Sequence, residues 1–99
     1  MDEILTSQDH LNVLVHDEHG IIYQGPAKAI TSVNEQGLFD ILPDHINFIT
    51  LITEKVEIVL LDDQKKKFEV VGGILHCYTS QVEIYLGVKN SATQQNKNQ

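Results

Sequence analysis

Apolar and polar side chains alternate through most of this chain, in short stretches separated by turn-forming residues. In the first such stretch, Leu11, Val13 and Val15 point to one face and Asn12 points to the other. This two-residue period is typical of a half-buried β-strand. Turn signals recur about every 8–12 residues, and no stretch has a convincing helical period. The pattern therefore predicts an all-β fold.

The predicted strands are short, and we expect about nine or ten of them. Turn-forming or linking residues separate them at positions 17–20, 25–26, 34–37, 53–55 and 62–67. The glycine pair Gly72 and Gly73 has no Cβ atoms, which permits a bulge or a close approach of two sheets. A chain with this many short strands is expected to fold as a two-sheet β-sandwich or a flattened barrel.

The two ends of the chain differ in composition from the middle. Residues 1–10 are rich in polar and acidic side chains, and residues 89–99 contain one alanine and no larger apolar group. Such segments cannot repay the entropy of ordering. We therefore expect a flexible N-terminus at 1–10, one β-sandwich domain at 11–88 and a disordered tail at 89–99.

The charge balance limits the partners of the domain. Seven lysines, no arginine and fourteen acidic residues give a net charge of −7. Nucleic acid and anionic lipid are therefore not expected as direct partners, whereas a basic protein is compatible. No apolar run approaches the roughly 18 residues of a membrane helix, and no signal peptide is visible. The single Cys77 fits a reducing compartment, so we expect a protein on the cytoplasmic side without direct membrane insertion.

A corner between residues 37 and 48 interrupts the alternation. Pro43 has a fixed φ and no N–H group, so a continuous central strand cannot pass through it. Gly37 opens the segment, and Asp44 and His45 follow the proline before the alternation resumes. The segment predicts a strand, a rigid exposed corner and a second strand. A polar corner of this kind is a suitable place for a function.

A cluster of Asp40, Asp44 and His45 at this corner suggests a catalytic or metal site as one interpretation. Hydrolysis would also require a nucleophile, and a metal would require a further ligand in matched geometry. His76 and Cys77 are adjacent, so on a strand they point to opposite faces and cannot share one ion. We favour a corner histidine bound to the backbone or to a partner, and we predict no catalytic residue, metal or cofactor.

Four segments in this order and at this spacing resemble the epsilon subunit of the F-type ATP synthase, which is called delta in mitochondria. They are the strand at 11–15, the strand at 20–25, the Gly-x-x-x-Ile-Leu-Pro-x-His corner at 37–45 and the Val-Gly-Gly-Ile-Leu strand at 71–75. The resemblance covers about residues 11–88, which corresponds to the N-terminal β-sandwich domain of that family.

The resemblance implies a non-catalytic subunit of the central stalk, or rotor, that couples proton or sodium translocation to ATP synthesis. Its partners would be the gamma subunit and the polar loops of the c-ring, at the cytoplasmic face of the cell membrane. Most of the family continues into a C-terminal helical hairpin that inhibits ATP hydrolysis. This chain does not continue into one, so we expect it to couple without that inhibition.

The resemblance also implies that the corner contacts the c-ring, and our hypothesis is that Leu38, Asp40, Asp44 and His45 make this contact. Many family members have an acidic residue where this chain has Leu38, and glycines where it has Asp40 and Asp44. Ring loops in the family typically present an arginine, which a carboxylate can bind with charge-assisted hydrogen bonds. The alternative is that the two aspartates are only solvated turn residues. Independently of this choice, we expect Gly37, Pro43, Gly72 and Gly73 to shape the backbone.

Two other functions are compatible with a small β-sandwich. A free-standing binding module for a protein or glycan partner is the first, since such folds host many of these. Six aromatic residues and no tryptophan weigh against it. A cupin-type metalloenzyme is the second, but it requires a His-x-His pair with a later glutamate and histidine, an arrangement that this sequence lacks.

Overall fold

The computed structural model describes residues 10–43 and 47–87, which form β-strands connected by turns. The seven strands are β1 (Leu11–Asp17), β2 (Gly20–Ala27), β3 (Ala29–Asn34), β4 (Gly37–Ile41), β5 (Asn47–Val59), β6 (Lys65–Tyr78) and β7 (Gln81–Leu86). None of the described residues is helical, so the predicted all-β fold is confirmed. The predicted flexible N-terminus, apart from residue 10, and the predicted tail at 89–99 lie outside the described residues.

The strands are joined in one hydrogen-bonded sheet in the order β2-β1-β7-β6-β5-β3-β4. All neighbours are antiparallel except β1 and β7, which are parallel. The sheet folds over into a β-sandwich because β5 and β6 are long enough to belong to both layers. The start of β5 and the end of β6 join β7, β1 and β2 in the first layer. The end of β5 and the start of β6 join β3 and β4 in the second layer.

The described strands are fewer and longer than the nine or ten that the sequence predicted. The link at 53–55 is a bulge inside β5, where the register against β6 shifts between Ile52 and Glu54. Glu54 has a positive φ of 68°, and the strand continues beyond it. The glycine pair at 72–73 lies inside β6, and the Gly-Pro pair at 25–26 lies inside β2. These predicted breaks are therefore local irregularities in continuous strands.

One apolar core fills the space between the two layers, with contributions from all seven strands. Its fully buried members include Leu11, Ile30, Ile58, Leu75 and Ile84. Each stabilises the fold by about 1.5–3 kcal/mol through the apolar surface that it removes from water. The two-residue alternation in the sequence arises from this core, because alternate positions of each strand face inward.

A buried hydroxyl stabilises the bulge of β5. Ser32 of β3 is fully buried, and its Oγ donates a hydrogen bond of 2.6 Å to the carbonyl oxygen of Lys55. The register of β3 against β5 shifts next to it, between Ser32 and Val33. A bulge takes residues out of the regular ladder, and this side chain provides a hydrogen-bond donor at that point.

We expect Ser32→Ala to lower the free energy of unfolding by about 1–3 kcal/mol, because the carbonyl of Lys55, in a half-buried residue, loses its donor. Urea denaturation measures this change. Thr53→Ala is the control, since Thr53 is exposed on the same bulge and should cost no more than about 0.5 kcal/mol. Equal stability of the two variants would show that the hydroxyl of Ser32 has no role in holding the bulge.

A close backbone contact explains why residue 73 is a glycine. Gly73 pairs with Ile52 of β5 on one side and with Leu86 of β7 on the other. A Cβ atom at this position would lie 2.7 Å from the carbonyl oxygen of Tyr85, closer than real Cβ atoms approach. The bend of β6 therefore brings its backbone against β7 where only a glycine fits.

We expect Gly73→Ala to destabilise the domain by about 1–3 kcal/mol, as other overpacked sites do. This cost exceeds the gain of about 0.4–1 kcal/mol from a less flexible unfolded chain. The midpoint of urea denaturation measures the difference, with Val71→Ala at an exposed position of the same strand as control. A G73A protein as stable as the parent would mean that β7 can move away without cost.

Candidate functional site

The predicted corner begins on β4, an edge strand of the sheet. The turn from β3 into β4 uses Gly37, with a positive φ of 115°, and Asn34, whose Oδ1 accepts a hydrogen bond of 2.9 Å from the N–H of Gln36. Leu38 and Asp40 follow on the outward side of β4, and Leu38 is 67% exposed. Two of the four predicted ring-contact residues therefore lie side by side on one exposed edge.

The other two predicted contact residues, Asp44 and His45, lie outside the described residues. Pro43 is half-buried and follows Leu42, which is exposed. Phe39 of β4 packs edge-on against Phe48 of β5, with ring centroids 5.8 Å apart and an interplanar angle of 71°. This contact fixes the strands on both sides of the corner relative to each other.

Asp40 belongs to a charged row on the outer face of the second layer. Its Oδ1 accepts a hydrogen bond of 2.5 Å from the hydroxyl of Thr31, its partner on β3. Thr31 pairs in turn with Glu57 of β5, and Glu57 pairs with Lys67 of β6. The hydrogen bond to Thr31 orients one carboxylate oxygen of Asp40 and leaves the other available to a partner.

The outer face of the first layer carries exposed apolar side chains. One residue from each of its five strands lies in a single row across the sheet, and we call these residues the apolar row: Leu51, Ile74, Tyr85, His16 and Ile21. Leu51 is 72% exposed and Ile21 is 56% exposed. The rings of His16 and Tyr85 are stacked, with centroids 4.6 Å apart. Ile49, also exposed, lies on the same face of β5.

The apolar row was not predicted from the sequence. One signal for it is present in β5, where Phe48 and Ile52 alternate with Ile49 and Leu51, so both faces of the strand are apolar. The first pair is partly or fully buried and the second is exposed. A strand with one face on the core and exposed apolar residues on the other face is typical of an interaction surface.

A carboxylate lies between two tyrosines beside the apolar row. The hydroxyl of Tyr85 donates a hydrogen bond of 3.0 Å to Oε1 of Glu83, and the hydroxyl of Tyr78 donates one of 3.3 Å to Oε2. The hydrogen bond to the carboxylate raises the pKa of Tyr85, and the negative charge of Glu83 raises the pKa of Tyr78. Both hydroxyls therefore remain protonated donors at neutral pH.

The alternative of a metal cluster of Asp40, Asp44 and His45 stays a prediction, because Asp44 and His45 lie outside the described part of the chain. Within residues 10–43 and 47–87, no three His, Cys, Asp or Glu side chains are grouped so as to hold a metal ion. Cys77 is buried and His76 is half-buried, as expected for neighbours on opposite faces of β6.

No helix long and apolar enough to cross a membrane occurs in the described residues.

Comparison with known proteins identifies relatives of this domain. Residues 10–87 match the family model of the ATP synthase delta/epsilon chain, β-sandwich domain. Over 63 residues, or 64% of the chain, the sequence is 33% identical to the ATP synthase epsilon chain of a Nitratiruptor species. The chain spans about half the length of that relative, 49%.

Two solved assemblies contain chains with the same fold. One is the Euglena gracilis mitochondrial ATP synthase, OSCP/F1/c-ring, where the match has a TM-score of 0.73 and 21% identity and covers 79% of this chain and 51% of the other. The other is the central stalk/c-ring of the Tetrahymena thermophila mitochondrial ATP synthase, with a TM-score of 0.63, 14% identity and coverage of 89% and 75%. At these identities the similarity shows a common fold.

Proposed function

The chain belongs to the delta/epsilon family of ATP synthase chains through its β-sandwich domain, and we propose that it is a non-catalytic coupling subunit of the central stalk. In this proposal one outer face of the sandwich docks on the gamma subunit, and the corner contacts the polar loops of the c-ring. The subunit then links rotation of the ring, driven by protons or sodium ions, to ATP synthesis. Its place is at the cytoplasmic face of the membrane, peripheral to it.

The observation that carries this proposal is the apolar row. Its five residues form a continuous strip across five strands, whereas the outer face of the second layer carries charged residues. The domain has a net charge of −7, and an exposed apolar strip on such a charged domain favours a protein–protein interface over a surface that stays in water. We assign the gamma subunit to this face.

The c-ring contact is assigned to the exposed edge of β4 and the corner that follows it. Leu38 offers apolar surface and Asp40 offers one carboxylate oxygen that Thr31 does not occupy. An exposed ion pair with an arginine of a ring loop contributes only about 0.2–1 kcal/mol. Such pairs therefore set register and partner choice more than affinity.

The fold offers a direct mechanical path between these two contacts. A load applied at the corner reaches β4, and the contact between Phe39 and Phe48 transfers it to β5. The same strand carries Ile49 and Leu51 on the gamma-facing side. A close-packed core deforms little, so the domain can act as a rigid connector, and this function requires no catalytic residue.

We expect Leu51→Asp to weaken binding of the purified gamma subunit by about tenfold or more, because a charge would enter the centre of an apolar interface. Leu61→Asp is the matched control, since Leu61 is 51% exposed in the loop between β5 and β6, away from the apolar row. Isothermal titration calorimetry measures both affinities, and thermal unfolding verifies that both variants fold. Equal affinities for gamma would contradict this docking face, and no binding by the parent would favour a free-standing binding module instead.

We expect the double change Asp40→Asn with Asp44→Asn to weaken binding to the c-ring and to flatten its dependence on salt. Thermal stability should barely change, because asparagine at residue 40 can still accept the hydrogen bond from Thr31. Co-sedimentation with detergent-solubilised c-rings at several salt concentrations measures the effect. The control is Asp17→Asn with Asp62→Asn, which removes the same charge from two other turns. If both double variants bind as the parent does at every salt concentration, Asp40 and Asp44 are only turn residues.

A further inference from the structure

We infer that Glu83 is the residue by which the docking face selects its partner, through an ion pair with a lysine or arginine side chain of the gamma subunit. This inference rests on the proposed docking of gamma on the apolar row. Glu83 lies on β7, two residues before Tyr85 of that row, and points to the same face. It is paired in register with His76 on one side and Leu14 on the other.

The carboxylate of Glu83 is held in one orientation before any partner arrives. Tyr85 binds one of its oxygens at 3.0 Å, and Tyr78 binds the other at 3.3 Å. Each tyrosine ring is in turn supported by a histidine. His16 stacks on Tyr85 with an interplanar angle of 1°, and His76 packs against Tyr78 with ring centroids 4.7 Å apart. Four aromatic rings from three strands thus position one charge.

The carboxylate retains unused acceptor capacity. Its two oxygens offer about four acceptor sites, and the tyrosines occupy two of them. In the part of the chain that the structure describes, Glu83 forms no ion pair, whereas Lys28 is paired with Asp63 on the hairpin loop. The remaining sites of Glu83 suit a cationic group, and a guanidinium can bind both oxygens at once.

Covering the apolar row makes this cation necessary. Glu83 is already half-buried, so a subunit docked over Tyr85 would remove much of its remaining water. Hydrogen bonds from two neutral hydroxyls do not neutralise a desolvated charge, and an unpaired charge in an interface is costly. A surface with a lysine or arginine at this point is therefore accepted, and an apolar surface without one is rejected. Leu51 and its neighbours thus provide contact area, and Glu83 determines which partner surface can bind.

The alternative role of Glu83 is purely local, as a carboxylate that ties the β6–β7 hairpin together. The two roles differ in what removal of the charge does. Glu83→Gln keeps the size of the side chain and an oxygen that accepts a hydrogen bond, but it removes the charge. A local role changes stability and leaves gamma binding intact. A selective role changes gamma binding and its salt dependence, and leaves the melting temperature near that of the parent.

The test is titration of the purified gamma subunit into the parent and variants at several salt concentrations. Glu83→Gln should weaken binding about tenfold and flatten its salt dependence, and Glu83→Lys should weaken it further. Glu57→Gln is the matched control, because Glu57 is also half-buried and faces outward on the second layer, and it should bind as the parent does. Tyr78→Phe combined with Tyr85→Phe keeps the charge, so its affinity should fall by a smaller factor and its salt dependence should remain.

The outcomes separate this inference from the proposed function. If Leu51→Asp loses gamma binding and Glu83→Gln binds as the parent does, the docking face stands and the selective role of Glu83 is overturned. If Glu83→Gln weakens binding no more than Glu57→Gln at every salt concentration, the same conclusion follows. If the parent itself does not bind gamma, both proposals are wrong.

Discussion

The fold depends on two long strands, β5 and β6, bending together at one place. Three features allow this bend: Glu54 takes a positive φ, Ser32 donates a hydrogen bond to the bulge, and Gly73 leaves room for β7. Without the bend, the seven described strands would form one open sheet with an apolar face exposed to water. With it, the same hydrogen-bonded sheet covers its own apolar face, and a chain of 99 residues can build a closed core.

The bend also gives the domain two outer faces with different chemistry. β5 carries Ile49 and Leu51 outward before the bend and Glu57 outward after it. A single strand therefore supplies apolar surface to the first layer and charge to the second. The two outer faces of one small domain therefore differ in the chemistry that they expose. Each surface is rigid because the side chains behind it belong to the same core.

Much of the fold could be predicted from local patterns. The alternation of Leu11, Val13 and Val15 identified core positions correctly, and the turn at 34–37 lies where its residues indicate. The continuity of β5 and β6 could not be predicted in this way. In sequence, a bulge within a strand looks like a turn that ends the strand. Here the difference depends on the hydroxyl of Ser32 from β3, which reaches the bulge only in the folded state.

The site was predictable to a smaller degree. The corner stays a prediction, because Asp44 and His45 lie outside the described residues. Its proline and glycine act locally, so a sequence pattern is enough to indicate it. The apolar row takes one residue from each of five strands, and their order in the sheet is not their order in the chain. The spacing of Glu83 and Tyr85 places them on one face of a strand, but their relation to Tyr78 depends on the tight turn between β6 and β7. Tertiary pairing, which local sequence does not encode by itself, creates both surfaces.

The parallel pairing of β1 with β7 has a consequence for biosynthesis. β1 lies between β2 and β7, Val13 pairs with Val82, and the N–H of Asn12 donates to the carbonyl of Ser80 at 2.9 Å. β1 is synthesised before β7, so its second edge is filled only after β7 has left the ribosome. Folds dominated by such distant pairings close slowly and late. Because the apolar row includes residues of both β1 and β7, a nascent chain that lacks β7 cannot present the complete row.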